Sequence, residues 1–203
     1  MANINILPIK ELADKMMQST TRVLGGVLET HGKYIVYKEG AEGLKQVEQK
    51  MTELGHPLSF KDIKNFDYYP IGIVSLPVVI AKKIFHWQDK DIFEMGSFAP
   101  KYSAVIKLIL KYFVSVEKLA HESSKAWTKH NTTGDLVCDF NEAKKQIILK
   151  LTFDPLDPLF CLFFQGYFLT VFKLVIRGKN INIQETRCAF NGAPYHEFLI
   201  SWT

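Results

Sequence analysis

Residues 134–152 read GDLVCDFNEAKKQIILKLT, and this stretch decides the fold. Before Gly134 the apolar residues recur at helical spacing; after it they alternate, the period of a half-buried strand. Leu136, Val137, Cys138, Asp139 and Phe140 form one strand and residues 146–152 a second. They join across Asn141, Glu142, Ala143 and Lys144 in a hairpin pattern. An apolar helix is expected over 157–177, with Gly178 as its closing residue. Two further alternating runs follow. In 180–190, Ile181, Ile183 and Glu185 oppose Asn182, Gln184 and Thr186; in 195–202, Phe198, Ile200 and Trp202 oppose Glu197, Leu199 and Ser201. Asn191-Gly192 marks the turn between them, lengthened by Ala193-Pro194. The C-terminal third is therefore ββαββ, a four-stranded antiparallel sheet covered by one long apolar helix. With a helical part over 1–133, this gives an α+β fold in a single domain spanning 1–203.

Upstream, Ile9, Leu12, Ala13 and Met16 share a helix face that ends near Ser19-Thr20-Thr21. A second amphipathic helix covers 41–54, with Leu44, Val47, Met51 and Leu54 inward, and Gly55-His56-Pro57 stops it. Ser59-Phe60-Lys61-Asp62 resembles a capping box that opens a new helix. Residues 71–85 are almost continuously apolar, with Pro77 bending any helix there. A short helix is expected at 89–95 and a regular one over 102–116, striped by Tyr102, Val105, Ile106, Ile109, Leu110, Phe113 and Val116. Residues 119–134 are polar and end in a turn at 130–134.

The chain has 203 residues, 47% of them hydrophobic and 23% charged, which suits one packed domain and excludes bulk disorder. The net charge of +4 is scattered, so no basic patch marks a nucleic-acid partner. Three cysteines are too few for a stapled secreted scaffold, and the opening MANINILPIK lacks a signal-peptide pattern, so a cytoplasmic location is expected. Gln165, Gly166, Thr170 and Lys173 interrupt the apolar run 159–176, which reads as a buried helix and not as a membrane span.

Phosphate-binding fingerprints and HExxH are absent. Ser115-Val116-Glu117-Lys118 matches SxxK without its partner motifs and on a packing helix, so no catalytic residue is assigned. The sharpest constellation is Glu185-Thr186-Arg187-Cys188 followed by His196. Carboxylate, thiolate and imidazole together suit a zinc ion, and Cys161 on the preceding helix is the thiol that would complete four ligands. In a regular strand Cys188 and Glu185 face opposite ways, so convergence needs a bulge or the start of the turn. The same residues also suit ordinary buried thiols and a hydrogen-bonded histidine.

Phe160-Cys161, Gln165-Gly166-Tyr167, Glu185 to Cys188, Asn191-Gly192, Tyr195 to Phe198 and Trp202 together resemble the end of the 4-vinyl-reductase-type domain, a small hydrocarbon-sensing module. This chain carries E-x2-C-x7-H, with His196 where that family has its last cysteine. The resemblance covers about residues 134–203; before that, Met95-Gly96 and the 102–116 helix stand where the family has its pocket-lining region. It implies a structural zinc site at Cys161, Glu185, Cys188 and His196.

The same superfamily includes haem nitric-oxide-binding domains and subunits of the TRAPP vesicle-tethering complex. A haem domain needs a proximal histidine and a Tyr-x-Ser-x-Arg motif. Tyr102-Ser103 does not supply that motif, His86 and His121 are the axial candidates, and haem is not expected. The function expected is non-enzymatic sensing of a small hydrophobic or aromatic ligand between helices and sheet. Its wall residues would be Tyr68, Tyr69, Phe98, Tyr102, Ile106, Phe113, Phe164, Tyr167 and Phe168, with Trp127 at the rim. The alternative is a TRAPP-type protein-interaction module. The expected partners are the ligand and a homodimer mate or signalling chain.

Overall fold

The computed structural model describes residues 8–102, 115–153 and 156–203. The expected helix over 102–116, with Ile106 and Phe113, falls almost wholly outside them. The chain divides into two compact units, Met1–His86 and Trp87–Thr203.

In the first unit, helix α1 (Ile9–Met16) buries Ala13 and Met16. Strands β1 (Arg22–Leu24) and β2 (Tyr68–Pro70) pair antiparallel. Helix α2 (Gly25–Glu53) contains the expected 41–54 segment, and its inward residues Val47, Met51 and Leu54 are buried. It also extends back to Gly25, where no helix was expected. That first half hides Thr30, His31 and Gly32 while exposing Val36 and Tyr37, which inverts the usual amphipathic signal. Gly40 separates the halves at φ 73° and ψ −179°, a conformation a side chain would strain.

Ser59 makes no capping bond, and only one 3-10 turn, Phe60–Asp62, forms where a capped helix was expected. The Glu48 carboxylate accepts the Phe60 N–H instead, at 2.7 Å, and holds that loop against α2. Helix α3 (Ile71–Ile84) runs through Pro77 and is buried on nearly all sides along 71–81. It packs on α1 and α2.

In the second unit, helix α4 (Asp89–Tyr102) is longer than the expected 89–95 helix. Polar residues 119–130 are helical too, within α5 (Val116–His130), which buries Leu119, Ala120 and Ser123 against β3. The sheet is antiparallel and four-stranded: β3 (Asp135–Asn141), β4 (Gln146–Thr152), β5 (Asn182–Arg187) and β6 (His196–Ser201), in the order β3-β4-β6-β5. Its inward face carries Leu136, Ile147, Leu149, Leu151, Ile183, Phe198 and Ile200, and helix α6 (Leu159–Lys173) supplies Phe168, Leu169 and Phe172 to the same core.

Helix α6 stops short of Gly178. The Val171 and Phe172 carbonyls accept from Leu174, Val175 and Ile176 in a tight final turn, and Gly178 packs against Trp202 instead. Helices α4 and α6 cross with backbones in contact: a Cβ at Gly96 would lie 1.9 Å from the Phe163 oxygen, and one at Gly166 would lie 2.0 Å from the Phe93 oxygen. Ser97 Oγ donates to the Gly166 carbonyl at the crossing, over 3.2 Å. No helix among the described residues is long and apolar enough to cross a membrane.

Candidate functional site

Strand β6 sets the site's floor. His196 pairs with Leu151 on the inward face and is buried, while Glu185 on β5 sits opposite Phe198 on that same face. The pleat would then send Cys188 outward. A register shift prevents it: Glu185 faces Phe198 and Arg187 faces the adjacent Glu197, so Thr186 is an extra residue in β5. The Thr186 hydroxyl stabilises the bulge by donating to the Glu197 carboxylate at 2.8 Å. With the phase reversed, Arg187 points outward over the Tyr195 ring at 5.7 Å, and Cys188 turns inward. Cys161 comes from the first turn of α6, whose start is fixed by the Asp157 carboxylate accepting the Leu159 N–H at 2.9 Å.

The four ligand-type atoms of Cys161, Glu185, Cys188 and His196 all lie within 4.8 Å of one another. The two sulfurs are 3.7 Å apart, Cys161 Sγ is 3.6 Å from His196 Nδ1, and His196 Nδ1 is 3.0 Å from Glu185 Oε1. Around one tetrahedral ion with bonds of about 2.3 Å to sulfur and 2.0–2.1 Å to nitrogen, the S–S edge is about 3.8 Å and the S–N edge about 3.6 Å. The S–S and S–N separations match both, while the His196–Glu185 separation is that of a hydrogen bond and shorter than the N–O edge of about 3.4 Å. Rings of Phe153, Phe190 and Phe198 surround the imidazole at 5.3, 5.7 and 6.4 Å, and its Nε2 is buried with no hydrogen-bond partner among the described residues.

Burial, reinforced by the neighbouring Glu185 and Cys188, pushes the Cys161 thiol far up. Both Cys161 and Glu185 address the same ring nitrogen, which leaves no relay through the imidazole of the kind a nucleophilic triad needs. Cys138, remote in role, is a half-buried thiol raised to about 12 by desolvation.

The expected pocket residues are dispersed. Tyr68 and Tyr69 belong to the first unit: Tyr68 is exposed, and Tyr69 packs on Gly25 while its hydroxyl accepts the Lys64 N–H at 3.0 Å. Phe98 is buried, and the exposed Tyr102 ring stacks on it at 3.9 Å. Phe164, Tyr167 and Phe168 lie together on α6, where burial raises the Tyr167 phenol to about 12. Trp127 on α5 meets Phe164 at 6.0 Å. The aromatic content of α6 was the signal for this group; nothing in the sequence pointed to Phe153, which bridges it to His196.

No family model matches the chain, and no curated protein does. Solved structures do. An H-NOX protein from S. oneidensis in the Fe(II)NO ligation state is 13% identical, with a TM-score of 0.67 over 89% of this chain and 99% of that one. The Fe(II) unliganded H-NOX protein from K. algicida is also 13% identical, with a TM-score of 0.60 over 89% and 96%. A structure probing heme distortion in the H-NOX family is 14% identical, with a TM-score of 0.65 over 88% and 94%.

These neighbours are H-NOX proteins, whereas the sequence resemblance was to the 4-vinyl-reductase-type domain. They also correct the cofactor expectation, which offered structural zinc and set haem aside: iron and heme belong to the chains this one resembles in shape. The residues singled out as axial candidates do not fit the group, because His86 and His121 are both exposed. The buried His31 is committed to the Val74 carbonyl at 3.0 Å, and its neighbour Gly32 leaves no space, since a Cβ there would lie 2.5 Å from the Phe60 ring. What the likeness establishes is architecture: over 89% of its length this chain has the fold of the H-NOX proteins.

Proposed function

We propose that the chain is a non-enzymatic sensor domain for a small molecule, and that its second unit combines an aromatic ligand site with a metal centre at Cys161, Glu185, Cys188 and His196. The single observation that carries the metal centre is the agreement of the S–S and S–N separations with the edges of one tetrahedron. Four protein ligands leave no open position, so the ion's role is to tie α6 to β5 and β6 and not to activate water.

Titration of the chain with Co²⁺ tests this reading. Expected is one ion per chain, with thiolate charge-transfer and tetrahedral d–d absorption, both weakened in Cys188→Ser. Absorption indistinguishable from aqueous Co²⁺ would refute it. The aromatic site, proposed at Phe98, Tyr102, Phe164, Tyr167 and Phe168, is tested by displacement of a hydrophobic dye in the parent chain and in Phe164→Trp.

A second reading, gas sensing through haem, is favoured by the ligation states of the structural neighbours. Incubating the purified chain with hemin distinguishes it: a stoichiometric Soret band that survives gel filtration supports haem, and its loss on the column argues for the aromatic-ligand reading.

A further inference from the structure

The cations of the sheet region are far apart in sequence and close together in the fold. Residues 135–203 hold seven cationic and seven acidic side chains, so their composition is neutral. Their arrangement is not. Asn141, Gln146, Ser201 and Asn182 pair in register as one row and mark an end of the sheet, about 14 Å across at three strand spacings. Beyond that row the backbone joins three segments. The Trp202 N–H donates to the Lys145 carbonyl at 3.3 Å, Lys179 and Thr203 exchange two hydrogen bonds of 2.9 Å, and Gly178 lies against the Trp202 ring. Lys144 and Lys145 in the β3–β4 turn thus share this end with Arg177 and Lys179, and Lys173 closes α6 just upstream of Arg177.

All five of these cations are exposed, and none makes an ion pair among the described residues. Six lysines elsewhere are paired: Lys10, Lys33, Lys45, Lys50, Lys125 and Lys150 each have a carboxylate oxygen at 2.6–3.4 Å. Glu142 is the only acidic side chain in residues 142–145, 173–180 and 201–203. Cations gathered without counter-charges repel one another and favour an anionic partner. The patch also has an apolar member, since Leu174 beside Lys173 is 56% exposed.

We propose that this end of the second unit docks on an anionic lipid surface. The five cations meet lipid phosphates, and Leu174 enters the boundary between headgroups and acyl chains. Leu174 is what favours lipid over nucleic acid, whose phosphate backbone has nothing apolar to receive it. A bilayer also suits cations carried on separate segments, because its anions diffuse to wherever the charges stand.

Partition of the full chain is measured with vesicles of phosphatidylcholine alone and with vesicles that include phosphatidylglycerol. Binding is expected to the anionic vesicles only, and to be lost at about 1 M salt, where the screening length falls to about 3 Å. Lys144→Gln combined with Lys145→Gln should weaken it about 25-fold, roughly fivefold for each cation removed. Leu174→Ser should weaken it several-fold. The control is Lys10→Gln combined with Lys45→Gln, which lowers the net charge equally but removes paired cations of the first unit, and should leave binding unchanged. All these side chains are exposed, so the variants keep their cores.

Equal losses in the two double variants would mean attraction by net charge without a docking face, and overturn the proposal. So would binding indifferent to phosphatidylglycerol or to Leu174→Ser. Retention on duplex DNA with none on vesicles would assign the patch to nucleic acid instead.

Discussion

Each unit of the chain buries a histidine almost completely, and the two keep opposite company. His31 sits between α2 and α3, and its Nδ1 meets the Val74 carbonyl at 3.0 Å. His196 has two thiols and a carboxylate around one ring nitrogen and aromatic rings around the rest. The first arrangement uses one ring nitrogen to tie two helices together; the second assembles donor atoms that a metal could use. Burial alone therefore says little about a histidine's task, and the atoms within bonding range say most.

The second arrangement depends on where α6 lies, and α6 is set by the glycine crossing. Gly166→Ala should break it, because the new Cβ would stand 2.0 Å from the Phe93 oxygen, a backbone atom that cannot turn aside. A loss of about 4 kcal/mol is expected in urea unfolding of the second unit, above the usual range for overpacking. Thiolate absorption from Co²⁺ should fall with it. A variant with unchanged unfolding would mean that the helices part easily and that the cluster is not held by this contact.

The sheet that carries the cluster was legible because Leu136 to Phe140 and Ile147, Leu149 and Leu151 fall in two short runs joined by a turn, the spacing of a hairpin. The crossing was not, since Gly166 reads in sequence as a polar interruption of an apolar run, and its partner Gly96 lies 70 residues away. Helix 25–39 escaped for a related reason: its inward face mixes Leu28, Tyr34 and Ile35 with glycine, threonine and histidine, while Val36 and Tyr37 face solvent. The four cluster residues were recognisable by type, but which way Cys188 faces depended on one bulge that no residue pattern announces.

The first arrangement can be sharpened with pH. Desolvation lowers the His31 pKa from 6.5 to about 4, with the Val74 contact opposing. Between those values the unfolded chain binds a proton that the folded chain refuses. The contribution of a neutral His31 is thus intact above pH 6.5 and drains away as pH falls toward 4, by roughly 3 kcal/mol in all. Unfolding midpoints at pH 7 and 4.5 should differ more in the parent than in His31→Gln. Equal pH dependence in the two would show that His31 protonates without consequence.

The smallest effect concerns a histidine outside both arrangements. His56 Nε2 lies 3.7 Å from the exposed Asp14 carboxylate, which Lys10 also contacts at 2.6 Å and holds below its usual range. Such exposed pairs contribute little. Asp14→Asn should leave the melting temperature of the first unit unchanged, and a clear drop would place His56 among the structural histidines.

The bulge at Thr186 makes the cluster depend on arithmetic more than on chemistry. A chain lacking that one residue could retain Cys161, Glu185, Cys188 and His196 in full, yet its restored pleat would turn the second thiol to the opposite side of the sheet. Among distant kin, then, counting the residues between the glutamate and the cysteine would separate chains that can close a ring of four donors from chains that only display them.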